Sequence, residues 1–300
     1  MVYVLYLILF GFGLAVGSFF NVLALRYNPH RSVFALESIG GRSYCRHCHK
    51  TLRWFELIPL LSFIIQRGRC RTCRKKLLIQ YPIIEFVSGL VFVVVPFYLN
   101  SFYNISNSRF VLFEAPQFYY GLILVWIAVF MIWLLIALID LRHYLIPNEL
   151  NFIIGFLAVV LVSILAFNAD RLLPFHDSFL KHYNLIFSPF QNLVLNHIFG
   201  LVLGGLFFGA IVFLSRGRAM GMGDVKLAAA AGLLFGWADV GLAIIIAFVV
   251  GGIVGAFTLL LKKKTMRDKL PFAPFLVLGF VITFFFGYAL VRGYFALFNL

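Results

Sequence analysis

The sequence predicts an all-α polytopic membrane protein with about eight transmembrane helices and a small cytoplasmic loop domain resembling a zinc ribbon. Hydrophobic residues make up 63% of the 300 residues and charged residues only 12%, whereas an average soluble chain is roughly 45–50% apolar and about 25% charged. The apolar residues form long uncharged runs of membrane-spanning length, and all four cysteines lie in one polar loop. These observations exclude a soluble globule, a disordered chain and a disulfide scaffold.

Eight apolar segments follow one another along the chain. The first, residues 1–25, carries no charge and is long enough to cross a hydrocarbon core. Because no Lys or Arg precedes it and no small-residue cleavage site follows it, we expect a retained anchor. Residues 225–236 are short for a full crossing, so they form either a short transmembrane helix or a half-helix inside the bundle. The other segments are residues 79–99, 118–139, 150–167, 193–214, 240–261 and 272–291.

The basic residues predict the orientation of these segments. With eight crossings the four basic loops lie on one side, and because short cytoplasmic loops are enriched in Lys and Arg, that side is the cytoplasm. Seven crossings would place the basic residues 262–264 outside. The net charge of +14 is therefore a topology signal, and we expect contact with a lipid bilayer and not with nucleic acid. Of the 25 Lys and Arg residues, 21 lie in loops 26–78, 140–149, 216–226 and 262–270.

The same segments predict four parts of the chain. A first transmembrane helix is followed by a cytoplasmic four-cysteine loop, a second helix with an outer loop, and a six-helix core. Their expected bounds are residues 1–25, 26–78, 79–117 and 118–300.

The cysteines form two pairs, Cys45-x-x-Cys48 and Cys70-x-x-Cys73, with 21 residues between the pairs. Two such pairs supply four thiolates at a spacing typical of a tetrahedral structural Zn²⁺ site. A reducing cytoplasm argues against disulfides, and neighbouring basic residues favour thiolates that bind metal. We expect the four cysteines to hold a structural zinc ion; redox chemistry and uncoordinated thiols are the alternatives.

Two carboxylates are predicted at cytoplasmic helix ends. Asp140 ends the third segment and Asp224 opens the sixth, within the sequence GMGDVK at residues 221–226. Carboxylates in membrane segments are costly and often functional, and two at similar depth on different helices can act as acid and base toward one water. The alternatives are structural: Asp140 pairs with Arg142 or caps the following segment, and Asp224 is the N-cap of its helix.

Several motifs spread over nearly the whole chain resemble the bacterial type IV prepilin peptidase family, and together they are highly specific. They are GSFFNV at 17–22, RS at 42–43, WFELIPLLS at 54–62, RGRCR at 67–71, YP at 81–82 with Glu85, Asp140 with IP at 146–147, GMGDVKL at 221–227 and PFAPF at 271–275.

The resemblance implies an aspartic peptidase whose catalytic residues are Asp140 and Asp224, with Gly221, Gly223 and Lys226 as supporting residues of the second motif. The two glycines also permit a tight turn or the close approach of an extended substrate. The implied reaction is cleavage of a short basic leader from type IV prepilins or type II secretion pseudopilins. It takes place at the cytoplasmic face of the bacterial inner membrane, just before the apolar helix of the substrate.

The resemblance further implies methylation of the new N-terminal residue with S-adenosylmethionine. The long form of the family contains the cysteine loop and Glu85, but no glycine-rich nucleotide loop locates the cofactor. Glu85 is either part of a methyl-transfer site or makes a structural hydrogen bond or ion pair with an arginine on the cytoplasmic side. Asn148 stands where the family often has aspartate, which leaves Asp140 as the sole acid of its motif. Asn21 is expected to form a hydrogen bond between helices.

Two other functions are compatible with the residues alone. Paired carboxylates in a helical bundle also carry protons in membrane transporters, although no pair of broken helices in corresponding halves supports this. The second of these functions is that of a noncatalytic assembly platform, which would recruit secretion proteins through the four-cysteine loop.

Overall fold

The computed structural model describes residues 2–103, 116–169, 177–188, 192–261 and 270–298. Over these residues the chain is helical, with two isolated β-bridges and no strand. It divides into two compact units, Met1–Leu99 and Asn100–Leu300, which we call unit 1 and unit 2. Residues 104–115, 170–176 and 189–191, which connect predicted apolar segments, and nearly all of the basic loop 262–270 lie outside the described residues.

Unit 1 is dominated by two long helices, α1 (Val2–Arg26) and α4 (Gln80–Phe102). The polar loop between them contains the short helices α2 (Leu36–Ile39) and α3 (Leu61–Ile65) and a 3₁₀ turn at Trp54–Leu57. The loop therefore has little regular secondary structure of its own. This is expected of a segment too small to form a large core, which needs another source of stability such as a bound metal.

The two long helices of unit 1 are antiparallel and pack closely at Gly17. A Cβ at Gly17 would lie 2.6 Å from the Cβ of Ser88 on α4, so the absence of a side chain permits this approach. Asn21, one turn further along α1, donates from Nδ2 to the carbonyl oxygen of Tyr81 on α4 at 3.2 Å. This bond confirms the helix–helix role predicted for Asn21.

Unit 2 contains six of the predicted apolar segments. Seven of the described helices of the whole chain are long and apolar enough to cross a membrane, so the chain is a multi-pass membrane protein. Each predicted segment coincides with a helix, which confirms the all-helical membrane class. The helices of unit 2 are α5 (Pro116–His143), α6 (Asn148–Phe167), α7 (Asn184–Phe187), α8 (Leu193–Leu214), α9 (Met222–Phe235), α10 (Trp237–Leu260) and α11 (Ala273–Leu297).

The short apolar segment is α9, which has 14 residues and spans only about 21 Å at ~1.5 Å per residue. It nevertheless runs antiparallel along α8, where a Cβ at Gly232 would overlap the carbonyl oxygen of Gly200. Its C-terminal cap, Gly236, lies against Asn196 near the start of α8, and α10 begins at the next residue. α9 therefore reverses the chain direction between α8 and α10, although with 14 residues it is not among the seven helices that are long enough to cross a membrane.

Replacing Gly232 with alanine is expected to destabilise unit 2, because the new methyl group would overlap the carbonyl oxygen of Gly200. Overpacking of this kind costs about 1–3 kcal/mol. Gly209→Ala on α8 is the matched control, since nothing lies within 4 Å of its added Cβ. Thermal unfolding in detergent should show a lower midpoint for Gly232→Ala only; equal midpoints would contradict the close α8–α9 contact.

An aromatic cluster fills the middle of unit 2. Trp126 and Trp133 on α5, Phe235 on α9 and Phe284 on α11 are each at most 2% exposed. The ring centroids of Trp126 and Phe284 are 4.7 Å apart, and Trp133 stacks on Phe235 with centroids 5.9 Å apart. Aromatic pairs at these separations stabilise a core beyond the area they bury. The cluster therefore fixes which faces of the three helices point inward.

Candidate functional site

Asp140 faces the interior of unit 2 because it shares a helix face with the aromatic cluster. Trp126, Trp133 and Asp140 are spaced seven residues apart on α5, and this spacing places side chains on one face. Asp140 is only 5% exposed, and it lies three residues before the end of α5 at His143. The helical periodicity therefore buries a carboxylate at one end of the bundle.

One oxygen of Asp140 caps a different helix. Its Oδ2 accepts a 3.1 Å hydrogen bond from the backbone N–H of Ala273, the first residue of α11. Helix N-termini favour a carboxylate because they carry free N–H groups and the positive end of the helix dipole. One alternative from the sequence was that Asp140 caps the segment that follows it. In the structure Asp140 caps α11 instead, whose first residue lies 133 positions later.

Asp224 lies in the first turn of α9, three residues after the N-cap, Gly221. The backbone N–H groups of Gly221 and of Asp224 itself lie near its carboxylate. A third-position carboxylate that reaches back to the N-cap is one half of a capping box. Asp224 therefore helps to stabilise the start of its helix, although the N-cap position itself belongs to Gly221.

The structure brings the two predicted carboxylates together. Asp140 and Asp224 are close enough to interact electrostatically. Two neighbouring carboxyl groups do not both ionise readily, so one retains a proton while the other is charged, and they titrate as a pair. Two carboxyl groups that interact in this way can divide the roles of acid and base, as in the carboxylate dyads of aspartic proteases.

Gly223, the residue before Asp224, is held by the chain that follows α5. Asn151 on α6 donates from Nδ2 to the carbonyl oxygen of Gly223 at 3.2 Å. A Cβ at Gly223 would lie 3.0 Å from the side chain of Ile146, so this position is tight, whereas a Cβ at Gly221 would meet nothing closer than 3.9 Å. Of the two predicted supporting glycines, Gly223 thus has the clearer steric reason to lack a side chain.

Lys226 also connects α9 to α6. Its Nζ donates to Oδ1 of Asn148 at 2.7 Å, so the amide accepts the bond that an aspartate at this position would accept. Sequence reasoning missed Asn151 and the N–H of Ala273 as groups that position the site. For Asn151 a signal existed, because it follows Asn148 by three residues and lies on the same helix face. For Ala273 the sequence contained no such signal, because its backbone N–H and not its side chain makes the bond.

The four cysteines of unit 1 form one cluster. Their sulfur atoms all lie within 4.8 Å of one another, and those of Cys45 and Cys73 are 3.9 Å apart. Four tetrahedral Zn–S bonds of about 2.3 Å would separate the sulfurs by about 3.8 Å. The cluster therefore has the dimensions of a site that can hold a metal ion.

The two cysteine pairs adopt the same backbone turn. The N–H of His49 donates to the carbonyl of Cys45, and the N–H of Arg74 donates to the carbonyl of Cys70. The φ angles of His49 and Arg74 are 56° and 55°, so both turns pass through the left-handed region. A β-bridge closes each turn, between Tyr44 and Thr51 and between Arg69 and Lys76.

The surroundings of the thiols set their acidity. Burial raises the pKa of Cys45, but backbone N–H groups of Cys48 and His47 donate to its sulfur and lower its pKa to about 7 overall. The N–H of Lys75 lowers the pKa of Cys73, yet burial and the three neighbouring sulfurs raise it to about 11. The cluster therefore resists losing all its protons unless a cation compensates the negative charge.

Comparison with known proteins assigns the chain to a family. Residues 11–99 match the model of the Bacterial Peptidase A24 N-terminal domain, and residues 127–256 match that of the Type IV leader peptidase family. The prepilin leader peptidase/N-methyltransferase of Bacillus subtilis (strain 168) is 30% identical over 287 residues, which cover 96% of both chains. The chain belongs to the type IV leader peptidase family.

Two further relatives carry the same name. The prepilin leader peptidase/N-methyltransferases of Legionella pneumophila and Aeromonas hydrophila are 26% and 28% identical, over 97% and 96% of this chain and 94% and 92% of their own. No solved structure matches the chain. The expected resemblance is confirmed, and the protein is a peptidase of this family. Asp140 and Asp224 lie within the region of the leader peptidase model, and the cysteines and Glu85 lie within that of the N-terminal domain.

Asn151→Ala is expected to lower kcat/KM of this leader peptidase about 5- to 10-fold, because the bond to Gly223 that aligns Asp224 is lost and one hydrogen bond contributes roughly 1 kcal/mol. Ser163→Ala is the matched control, since Ser163 lies on the same helix and bonds only locally, to Val159. Cleavage rates at several substrate concentrations give the measurement. Equal losses in both variants would show that the loss of activity comes from a general disturbance of α6 and not from the missing bond to Gly223.

Proposed function

We propose that this leader peptidase cleaves the basic leader from type IV prepilins or type II secretion pseudopilins with Asp140 and Asp224, and then methylates the new N-terminal residue. The observation that carries the proposal is a buried Asp140 near enough to Asp224 for the two carboxyl groups to interact electrostatically, inside the region that matches the leader peptidase family. The names of the relatives support both activities, since each is a prepilin leader peptidase/N-methyltransferase.

In the proposed reaction one water molecule lies between the carboxyl groups. The ionised carboxylate takes a proton from the water as its oxygen attacks the scissile carbonyl carbon, and the protonated carboxyl group gives its proton to the carbonyl oxygen. A proton then passes to the leaving nitrogen, the C–N bond breaks, and the pair again holds one proton. The N–H of Ala273 orients Asp140 throughout, while Asn151 and Lys226 hold the start of α9.

The proposed reaction takes place at the cytoplasmic face of the bacterial inner membrane. Asp140 lies near the end of α5 and Asp224 near the start of α9, so both carboxylates lie close to helix ends. A bond cleaved at this depth would be where a prepilin passes from water into lipid. The positive-inside rule assigns this end, together with the cysteine loop, to the cytoplasm.

The two cofactors of the proposal belong to different steps. Zn²⁺ held by Cys45, Cys48, Cys70 and Cys73 would have a structural role, because four protein ligands leave no open position for water. S-adenosylmethionine would supply the methyl group that the relatives' name of N-methyltransferase requires. Leader cleavage itself uses the two carboxylates.

A proton-coupled transporter is the other function that paired carboxylates allow. The family match favours hydrolysis, because the leader peptidase model covers both Asp140 and Asp224. A transporter would also be expected to contain broken helices in corresponding halves, and α5, the helix of Asp140, is continuous over 28 residues.

The proposal is tested with the full-length protein in detergent and a prepilin that retains its leader and apolar helix. Mass spectrometry of the product N-terminus, with and without S-adenosylmethionine, reports the cut site and the methyl group together. We expect cleavage under both conditions and a methylated product only with the methyl donor. A substrate that stays intact would overturn the peptidase proposal, and a cleaved but unmethylated product would overturn the second activity alone.

A further inference from the structure

Unit 1 exposes a group of large apolar side chains on the polar loop between α1 and α4. On α3, Leu61, Ile64 and Ile65 are 56%, 67% and 78% exposed. Trp54, at the start of the 3₁₀ turn, is also 78% exposed, and Leu57 at the end of that turn is exposed as well. Apolar side chains grouped in this way mark a contact surface. We call these five residues the loop patch.

The polarity of α3 is the reverse of that of a helix on a water-exposed surface. Its three exposed residues have the i, i+3, i+4 spacing that places side chains on one helix face. Ser62, Phe63 and Gln66 point the other way and line a cavity inside unit 1. A helix at a water-exposed surface buries its apolar face and exposes its polar one. Because α3 does the opposite with Ser62 and Gln66, its outer face is suited to lipid.

A hydrogen bond to α4 fixes the depth at which α3 begins. The backbone N–H of Leu60 donates to Oε2 of Glu85 at 2.8 Å, so the partner of Glu85 is a backbone group and not the arginine that the sequence suggested. α4 is a membrane-spanning helix that begins at Gln80, and Glu85 lies about 7–8 Å along it at ~1.5 Å per residue. Because α3 starts directly after Leu60, it starts beside the second turn of a membrane helix.

The first turn of α4 and the residues before it also expose apolar side chains. Leu78, Ile79 and Ile83 are all exposed. Because α4 crosses the membrane, these side chains meet the lipid of the leaflet in which the helix begins. The bond between Leu60 and Glu85 places the loop patch at this same level of unit 1. The loop patch therefore continues a surface that lipid already covers.

Basic residues border the loop patch. Arg67 lies two residues after α3 and is exposed. Arg71 is also exposed, and its guanidinium carbon lies 5.3 Å from the centroid of the Phe55 ring, which packs edge-on against Trp54. Tryptophan is enriched where membrane meets water, and cations beside an apolar face attract anionic headgroups. The charge of this border therefore selects anionic phospholipid.

We propose that the loop patch inserts into the boundary between headgroups and acyl chains in the leaflet where α4 begins, and that Arg67 and Arg71 bind the headgroups of anionic phospholipids there. The four-cysteine loop is then anchored to the bilayer at a third point, in addition to α1 and α4. Because Arg71 follows Cys70 directly, the anchor holds the second cysteine pair close to the membrane surface. The inference depends on α4 crossing the membrane and is independent of leader cleavage and methyl transfer.

Insertion is tested on the wild-type protein, because Trp54 itself reports its surroundings. The full-length chain is placed in nanodiscs of one chain each, made from phosphatidylcholine with or without bromine on the upper part of the acyl chains. The emission of the wild type minus that of Trp54→Phe gives the signal of Trp54. Since an interfacial segment lies about 5–10 Å deep, we expect the brominated lipid to lower this signal at least twofold. An unchanged signal would overturn the insertion.

Two further positions test whether insertion is confined to the loop patch. In the Trp54→Phe background, Ile64→Trp should be quenched by brominated lipid as Trp54 is. Lys50→Trp is the matched control, since Lys50 is an exposed, charged residue in the turn of the first cysteine pair; its emission should not change. Equal quenching at both positions would overturn the assignment to the patch. Trp54 that is quenched in discs with one chain but protected in discs with two would replace lipid with a second copy.

The choice of headgroup is tested in discs of equal phosphatidylcholine and phosphatidylglycerol, with only one of the two brominated. Because basic residues concentrate anionic lipid near them, we expect brominated phosphatidylglycerol to quench Trp54 about twofold more strongly. Arg67→Gln combined with Arg71→Gln should abolish this preference. Arg216→Gln combined with Arg218→Gln removes the same charge from exposed residues of unit 2 and should retain it. A wild type without the preference, or a preference that survives in the first pair, would overturn the headgroup assignment.

Discussion

Asp140→Asn and Asp224→Asn are each expected to lower the rate of leader cleavage by about 10²–10⁴-fold, the usual contribution of a positioned acid or base. Asparagine has the size of aspartate and keeps an oxygen that can accept from the Ala273 N–H, so the packing around α11 is retained. It can neither take a proton from water nor hold one for the carbonyl oxygen. Single-turnover cleavage of a prepilin substrate measures the effect.

The double variant should be little slower than either single variant, because two groups that act on one water fail together when either is lost. Asp239→Asn is the matched control. Asp239 is also fully buried in unit 2 and accepts from the N–H of Leu180, but it lies just beyond the C-terminal end of α9, opposite Asp224. Full activity in Asp140→Asn or Asp224→Asn would refute the dyad mechanism.

Replacing Cys45 and Cys48 together with serine is expected to abolish metal binding, because two of four thiolate ligands are lost. Structural zinc sites contribute about 10–16 kcal/mol of apparent binding free energy in isolated fingers, so the loop between α1 and α4 should lose its fixed conformation. The zinc content measured by metal analysis should fall from about one Zn²⁺ per chain to near zero. Limited proteolysis should show new cuts within residues 26–79.

His47→Ala is the control for the cysteine variant, since His47 lies between the two cysteines but is not part of the sulfur cluster. It should keep its metal and its resistance to protease. Leader cleavage should persist in the cysteine variant, because Asp140 and Asp224 are positioned by contacts within unit 2. Wild-type protein that contains no metal after careful purification would remove the zinc assignment.

Local patterns predicted most of the secondary structure. Each apolar run became a helix whose ends lie within about six residues of the expected ones, because a membrane core requires helices with internally satisfied backbone groups. The cysteine cluster followed from spacing alone, since two C-x-x-C turns have the shape that one metal needs. Length alone did not decide the path of α9, because only its contacts with α8 show that it returns the chain to the other end of unit 2.

The candidate site was predicted in its residue types but not in its supports. Helical periodicity places Asp140 on the same face as Trp133, so its burial is a property of α5 itself. The groups that orient it are distant in sequence: Ala273 lies 133 residues away, and Asn151 lies 72 residues from Gly223. Glu85 likewise depends on Leu60, whose side chain has no role in the bond.

The sequence by itself determined which segments are apolar enough for membrane helices and which residues have the spacing of a metal site, because hydrophobicity and spacing are properties of the chain. Its resemblance to the family singled out Asp140 and Asp224 as the acids proposed for the chemistry. Only the tertiary structure decided that a helix N-terminus holds Asp140, that α6 holds the start of α9, and that the backbone N–H of Leu60 donates to Glu85. These facts depend on backbone groups, which every residue carries alike and which acquire a role only when folding brings a partner to them.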